Sequence, residues 1–146
     1  MALIDDAGAG PVGVDTAVFI YFIEEDARLL PAITPLFEAA DRGKFELVSS
    51  ALTLLEVLVV PYRTGNLGLA GQYEALLTRS RGVRLIDLTR DQLRAAAQLR
   101  AVTGATTPDS LQLAAALAAG CSGFVANDRR LPAVQGLNII QLARYT

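Results

Sequence analysis

Short apolar blocks alternate along the chain with longer stretches in which apolar positions recur at helical spacing. Val12, Gly13 and Val14 form the first block, a candidate buried strand, and the pattern predicts an apolar helix over 16–24. A second helix is predicted over 29–42, following Pro31 and Pro35 and stopped by Gly43. A strand over 45–49 leads into a long apolar helix over 51–62, with Pro61 near its end. Then come a helix over 67–79, a strand over 83–86, and a helix over 89–102 opened by Thr89 and stopped by Gly104. The Ala/Leu-rich stretch 107–119 reads as a helix capped by Thr107, started by Pro108 and ended by Gly120. Residues 123–126 and 137–140 are the last two strands, and residues 1–10 are expected to be loose.

Strands alternating with helices of this length predict an α/β protein, three layers deep (α/β/α), around a mainly parallel sheet. No internal repeat or Pro/Gly/Ser-rich linker divides the chain, so a single domain over 1–146 is expected.

Composition narrows the chemistry. Apolar residues make up 52% of the chain and charged residues 19%, which excludes global disorder. There is no histidine and a single cysteine, Cys121, so Ser-His-Asp catalysis, His-ligated zinc and a disulfide within the chain are excluded. The first residues carry Asp5 and Asp6 and do not read as a signal peptide, and no apolar run approaches the ~20 residues of a membrane span. A soluble cytoplasmic protein with no membrane partner is therefore expected. The net charge of −2 argues against a non-specific, charge-driven nucleic-acid coat.

The acids carry the sharper signal. In an open parallel sheet, ligand sites form at the carboxyl ends of the strands. Asp15 directly follows the first strand and Asp128 follows the strand over 123–126. Asp109 opens a helix that leads back down into a strand, and Glu56 lies about two turns into a helix that leaves one. All four are candidates for one rim. Asp87 also follows a strand, and only the strand order decides whether it belongs with them. Two carboxylates ~5 Å apart repel by about 3 kcal/mol at an effective dielectric near 20, so a convergent set must protonate or hold a cation. Oxygen-only ligands suit Mg²⁺ or Mn²⁺, and a hard cation that keeps its waters suits phosphodiester hydrolysis.

Each acid also has a plain structural explanation. Asp15 can be an N-cap, Asp109 can complement a helix dipole, and Asn127-Asp128 is ordinary turn chemistry. Glu56 can close a capping box with Thr53, although it lies beyond the first turn and stands alone in an apolar run that would leave it needing a partner. Phe19, Tyr21 and Phe22 read as core, and Cys121 as a small buried residue without a base to activate it. Arg79, Arg81 and Arg84, like Arg129 and Arg130, read as solvated loops that could hold backbone phosphates if they lay near such a site.

Four segments in order resemble a known family. Val14-Asp15-Thr16 with its apolar tail resembles the opening of PIN-domain proteins, and Ser50-Ala51-Leu52-Thr53-Leu54-Leu55-Glu56-Val57 resembles their helix with the second acid. Thr107-Pro108-Asp109-Ser110-Leu111-Gln112-Leu113-Ala114 is similar to their third motif, and Phe124-Val125-Ala126-Asn127-Asp128 to their last strand and acid. The similarity spans roughly residues 12–142, and the overall size resembles the VapC-type toxins of toxin–antitoxin pairs. The resemblance implies a Mg²⁺- or Mn²⁺-dependent ribonuclease with Asp15, Glu56, Asp109 and Asp128 as its metal-binding acids. It also implies homodimers and a complex with a small antitoxin protein. The chain departs from the family at Ala126, where many members carry Thr or Ser, and at Ala17, where many carry Ser or Asn. The expected activity is hydrolysis of RNA by a metal-activated water, with Asp15, Asp109 and Asp128 the main ligands and Glu56 a further ligand or water orienter. A catalytically weak module that binds RNA or a protein is the alternative. A phosphoryl-accepting receiver fits worse, because position 17 is alanine and no second acid follows Asp15 there.

Overall fold

Val12, Gly13 and Val14 are all buried, as a strand within a parallel sheet must be when helices cover both faces. The computed structural model describes residues 2–146. Strand β1 (Val12–Val14) lies at the centre of a sheet whose other strands are β2 (Leu47–Ser50), β3 (Val83–Ile86), β4 (Gly123–Ala126) and β5 (Asn138–Gln141). The order is β3-β2-β1-β4-β5, and every neighbouring pair is parallel. The helices are α1 (Leu3–Ala7), α2 (Thr16–Ile23), α3 (Leu30–Asp41), α4 (Leu52–Arg63), α5 (Leu67–Arg79), α6 (Arg90–Thr103) and α7 (Thr107–Ala118), and a 3₁₀ turn, Leu142–Tyr145, follows β5.

The pleat sorts the strand residues between two cores. Val12, Val14, Leu47, Val125 and Ile140 pack with apolar side chains of α1, α2, α3, α4 and α5. Val48, Phe124 and Ala126 pack with Leu113 and Ala116 of α7, and α6 joins α7 through Ala96, Leu111 and Ala114. The result is the three-layer arrangement expected. Phe22 stacks on Phe37 with ring centroids 3.9 Å apart and Phe19 meets Phe37 edge-on at 5.8 Å, so these aromatics are core, as expected.

Four expectations need correction. Residues 3–7 are not loose: they form α1, whose Leu3 and Ala7, one turn apart, are buried, and the Tyr145 hydroxyl donates to Asp6. An apolar pair in five residues is too short a period to stand out in sequence. Pro35 lies inside α3 and does not precede it. An interior proline costs about 3 kcal/mol in an isolated helix; here Ile33, Leu36, Phe37, Ala39 and Ala40 are buried around it and hold the helix. The cap of α7 is Thr106, one residue earlier than expected, and its side chain accepts from the Asp109 N–H. Two adjacent threonines have the same capping chemistry, and local sequence does not rank them. Strands β2 and β5 begin at Leu47 and Asn138, later than their apolar blocks.

Gly13 lets α7 lie close on β1. A Cβ there would stand 2.6 Å from Phe124 Cδ1 and 3.0 Å from Ala116 Cβ, both in the packed core. Gly13→Ala is expected to lower unfolding free energy by about 1–3 kcal/mol through overpacking, measured as a lower urea midpoint at unchanged slope.

Candidate active site

The chain order reverses between β1 and β4, and crevices in open parallel sheets form at such a point, beyond the carboxyl ends of the strands. Asp15 sits there directly: it follows β1, and its N–H donates to Val125 O of β4 at 2.9 Å. Asp128 follows β4 after one intervening residue. Asp87 follows β3, the strand at the far edge, and is exposed. Strand order thus takes Asp87 out of the crevice.

Asp15 is both a helix cap and a lining residue of the crevice. It is the N-cap of α2, and its Oδ1 accepts from the Thr16 N–H at 2.9 Å. Asp109 occupies the first turn of α7, with its N–H donating to Thr106 Oγ1 at 3.3 Å. Glu56 lies past the first turn of α4, and its Oε1 accepts from Thr16 Oγ1 at 2.7 Å. The capping box is not formed, since Ala51 is the N-cap of α4 and Thr53 is fully buried. Nor is Glu56 enclosed by its apolar neighbours: Val57 and Leu58 enter the core, whereas Leu55, Val59, Val60 and Tyr62 are exposed. Asp15, Glu56 and Asp109, together with Thr16, Ala17 and Gln112, line one cavity of about 380 Å³.

Asp128 stands apart from this lining. Its Oδ1 accepts from the Arg130 N–H at 2.9 Å and from Arg130 Nε at 3.2 Å, and its backbone oxygen accepts from Gln141 Nε2 at 2.9 Å. The N–H and then the guanidinium of Arg130 hold the Asp128 carboxyl below the ordinary range. Among the described residues, no three His, Cys, Asp or Glu side chains are drawn together tightly enough to hold a metal ion as they stand.

The acids nevertheless feel one another. Burial, followed by the fields of Asp109, Glu56 and Asp128, lifts the Asp15 carboxyl from 3.8 to about 6, against the opposing effect of the Thr16 N–H. The part of the shift that comes from the three neighbouring acids marks a place where a cation would be favoured. The donor set, all carboxylate and hydroxyl oxygen, fits a hard divalent ion. Cys121, by contrast, is buried with its thiol pushed up to about 11, chiefly by desolvation, and is no nucleophile at neutral pH.

Sequence reasoning passed over the polar side chains beneath the cavity. Thr16, Ser49, Thr53 and Gln112 are all buried and joined by hydrogen bonds: Thr16 to Thr53 at 2.9 Å, Ser49 to Thr53 at 2.7 Å and Gln112 Nε2 to Thr53 Oγ1 at 2.8 Å. Ser49 Oγ also reaches Val14 O at 2.9 Å. The available signal was Gln112, a lone amide inside the apolar run of a helix.

The family model described as PIN domain matches residues 12–137. The chain belongs to the PIN domain family. Two solved structures share the PIN fold with it. One is a toxin–antitoxin complex from Klebsiella pneumoniae, with a TM-score of 0.62 and 16% identity over 89% of this chain and 95% of that one. The other is VapBC2 from Rickettsia felis bound to a DNA fragment from their promoter, with a TM-score of 0.64 and 14% identity over 90% of this chain and 98% of that one. No curated protein matches the chain significantly. PIN domains are nucleases and generally use divalent metal ions. Ala17 lines the cavity and Ala126 is buried in β4.

The raised Asp15 carboxyl has a consequence for stability. Its pKa in the folded protein exceeds the unfolded value, so its contribution is full below pH ~4 and is lost as pH rises through about 6. Asparagine caps a helix as well as aspartate does. Without metal, Asp15→Asn is therefore expected to become more stable than the parent as pH rises from 4 to 7, by about 1–3 kcal/mol, in paired urea titrations. A variant advantage that stays flat with pH would show that Asp15 does not titrate in this window.

Proposed function

We propose that this PIN protein is a divalent-metal-dependent endoribonuclease, the VapC-like toxin of a toxin–antitoxin pair, working as one PIN unit over 1–146. The observation that carries the proposal is the meeting of Asp15, Glu56 and Asp109 on one cavity, with the Asp15 carboxyl lifted by burial and, to a smaller extent, by the neighbouring acids. Asp15, Asp109 and Asp128 are the residues that would hold Mg²⁺ or Mn²⁺, with Glu56 as a further ligand or water orienter. When bound, the ion would activate water and steady charge on the phosphate.

The chain's own groups set the conditions for that chemistry. The Asp15 cap fixes the start of α2 against β4, and the Thr16 hydroxyl holds Glu56 at the cavity wall. Arg130 engages Asp128 through Oδ1 and its own Nε, which leaves Asp128 Oδ2 able to serve as a ligand and the Nη donors of Arg130 able to pair with a phosphate oxygen. Partners follow from the same reading: RNA as substrate, a small antitoxin protein, and a second copy of the chain. The exposed apolar face of α4, with Leu55 62% exposed beside Val59 and Tyr62, supports a protein partner. Among the described residues no helix is long and apolar enough to cross a membrane.

Asp15→Asn and Asp109→Asn, each checked for an unchanged circular-dichroism spectrum, are expected to lose Mn²⁺-dependent cleavage of single-stranded RNA. The loss should exceed the roughly 10–100-fold typical of removing an outer partner of a metal ligand. Parental rates in either variant would overturn the site assignment. Attack by water predicts products ending in 5′-phosphate and 3′-hydroxyl; 2′,3′-cyclic phosphate ends would instead assign the attack to the ribose.

The Asp128–Arg130 pair favours a second reading, in which one acid is already neutralised and the domain binds without cleaving. Calorimetric titration with Mn²⁺ separates the two. The nuclease is expected to bind the ion and the binding module to show no heat of binding.

A further inference from the structure

We propose that Gln112 is a positioning residue of the active site, whose side-chain amide turns the Thr16 hydroxyl toward Glu56 and so fixes that carboxylate at the cavity wall. The inference rests on the reading of Glu56 as an acid of that site.

The orientation of the amide follows from a donor that has no alternative. The backbone N–H of Ser50 can only donate, and it points at Gln112 Oε1 from 3.0 Å. Oxygen must therefore face β2, where Ser49 Oγ also lies 2.9 Å away, its one hydrogen having Val14 O as a second acceptor. A flipped amide would set N–H against N–H. With oxygen on that side, Nε2 faces the two threonines, donating to Thr53 Oγ1 at 2.8 Å and Thr16 Oγ1 at 3.1 Å. Oxygen and nitrogen of the amide are thus both partnered, in a side chain only 2% exposed.

The consequence passes to Thr16. Its hydroxyl has one hydrogen and two oxygens within reach, Glu56 Oε1 at 2.7 Å and Thr53 Oγ1 at 2.9 Å. Gln112 already donates to the Thr53 oxygen, and a bond to a carboxylate is the stronger of the two available. The hydrogen therefore goes to Glu56. Through this one amide, helix α7, which carries Asp109, is tied to the end of β2, to α4 and to the residue after Asp15. The acids at the rim are thereby referenced to a common point beneath them.

The test is a double-substitution cycle read by Mn²⁺ calorimetry on folded protein, with the parent, Gln112→Met, Thr16→Val, Thr16→Ser and the Gln112→Met/Thr16→Val double variant. Gln112→Met and Thr16→Val are each expected to weaken Mn²⁺ binding by about tenfold or more. The double variant should be no weaker than Thr16→Val alone, and Thr16→Ser should recover binding that Thr16→Val loses. Parental affinity in Gln112→Met, or losses that multiply in the double variant, would overturn the proposal. A second measurement needs neither metal nor substitution: neutron diffraction from the deuterated, metal-free parent. Deuterons on Gln112 Nε2 directed at Thr16 Oγ1, and on Thr16 Oγ1 directed at Glu56, are expected. A Thr16 deuteron directed at Thr53 would overturn the proposal even if Gln112→Met fails to fold. A parent that binds no Mn²⁺ would defeat the nuclease reading instead, and the neutron result would then decide the positioning role by itself.

Discussion

Five strands running the same way send every acid that follows a strand, and every acid at the start of a helix returning beneath the sheet, to one rim of the molecule. That geometry assembles carboxylates from distant parts of the chain before any of them is chemically useful, and it does so against their mutual repulsion. Burial raises the Asp15 carboxyl most, and that repulsion adds to it. The fold offsets that repulsion at three of the four acids: through a backbone N–H at Asp15, a hydroxyl at Glu56, and the N–H and guanidinium of Arg130 at Asp128.

Beneath the rim the core is not purely apolar. Ser49, Thr53 and Gln112 are almost wholly inaccessible, and a buried hydroxyl or amide is tolerable only when its hydrogen bonds are complete. Each of these has a partner, and the bonds link β2, α4, α7 and the start of α2 in a layer where aliphatic side chains would pack but could not direct. A polar cluster of this kind fixes orientation as well as distance, which the acids above it require.

How far the sequence reached depended on whether a feature was local. Strand–helix alternation, the Thr89 cap and the Gly104 stop are encoded within a few residues and appear where expected. The rim positions of Asp15 and Asp109 were legible too, because they follow from the direction of the neighbouring strand. What required long-range pairing was not: Asp87 could be set aside only once β3 proved to be the edge strand. The return of Arg130 onto Asp128 is a side-chain conformation with no periodic signature. The mostly apolar run of α4 concealed a helix buried on one side and bare on the other. Gln112 was visible as an anomaly, but the partners that give it a role lie 62 and 96 positions away.

Gly13 touches no acid, yet it sets a dimension of the site. With only hydrogen at that position, α7 settles onto β1 until Ala116 Cβ comes within 3.0 Å of where a methyl group would otherwise stand. Asp109 is seven residues earlier on the same rigid helix, about 10 Å along its axis. The height at which that carboxylate meets the rim is therefore gauged from the floor of the sheet, and the smallest side chain in the central strand calibrates an aperture two helical turns above it.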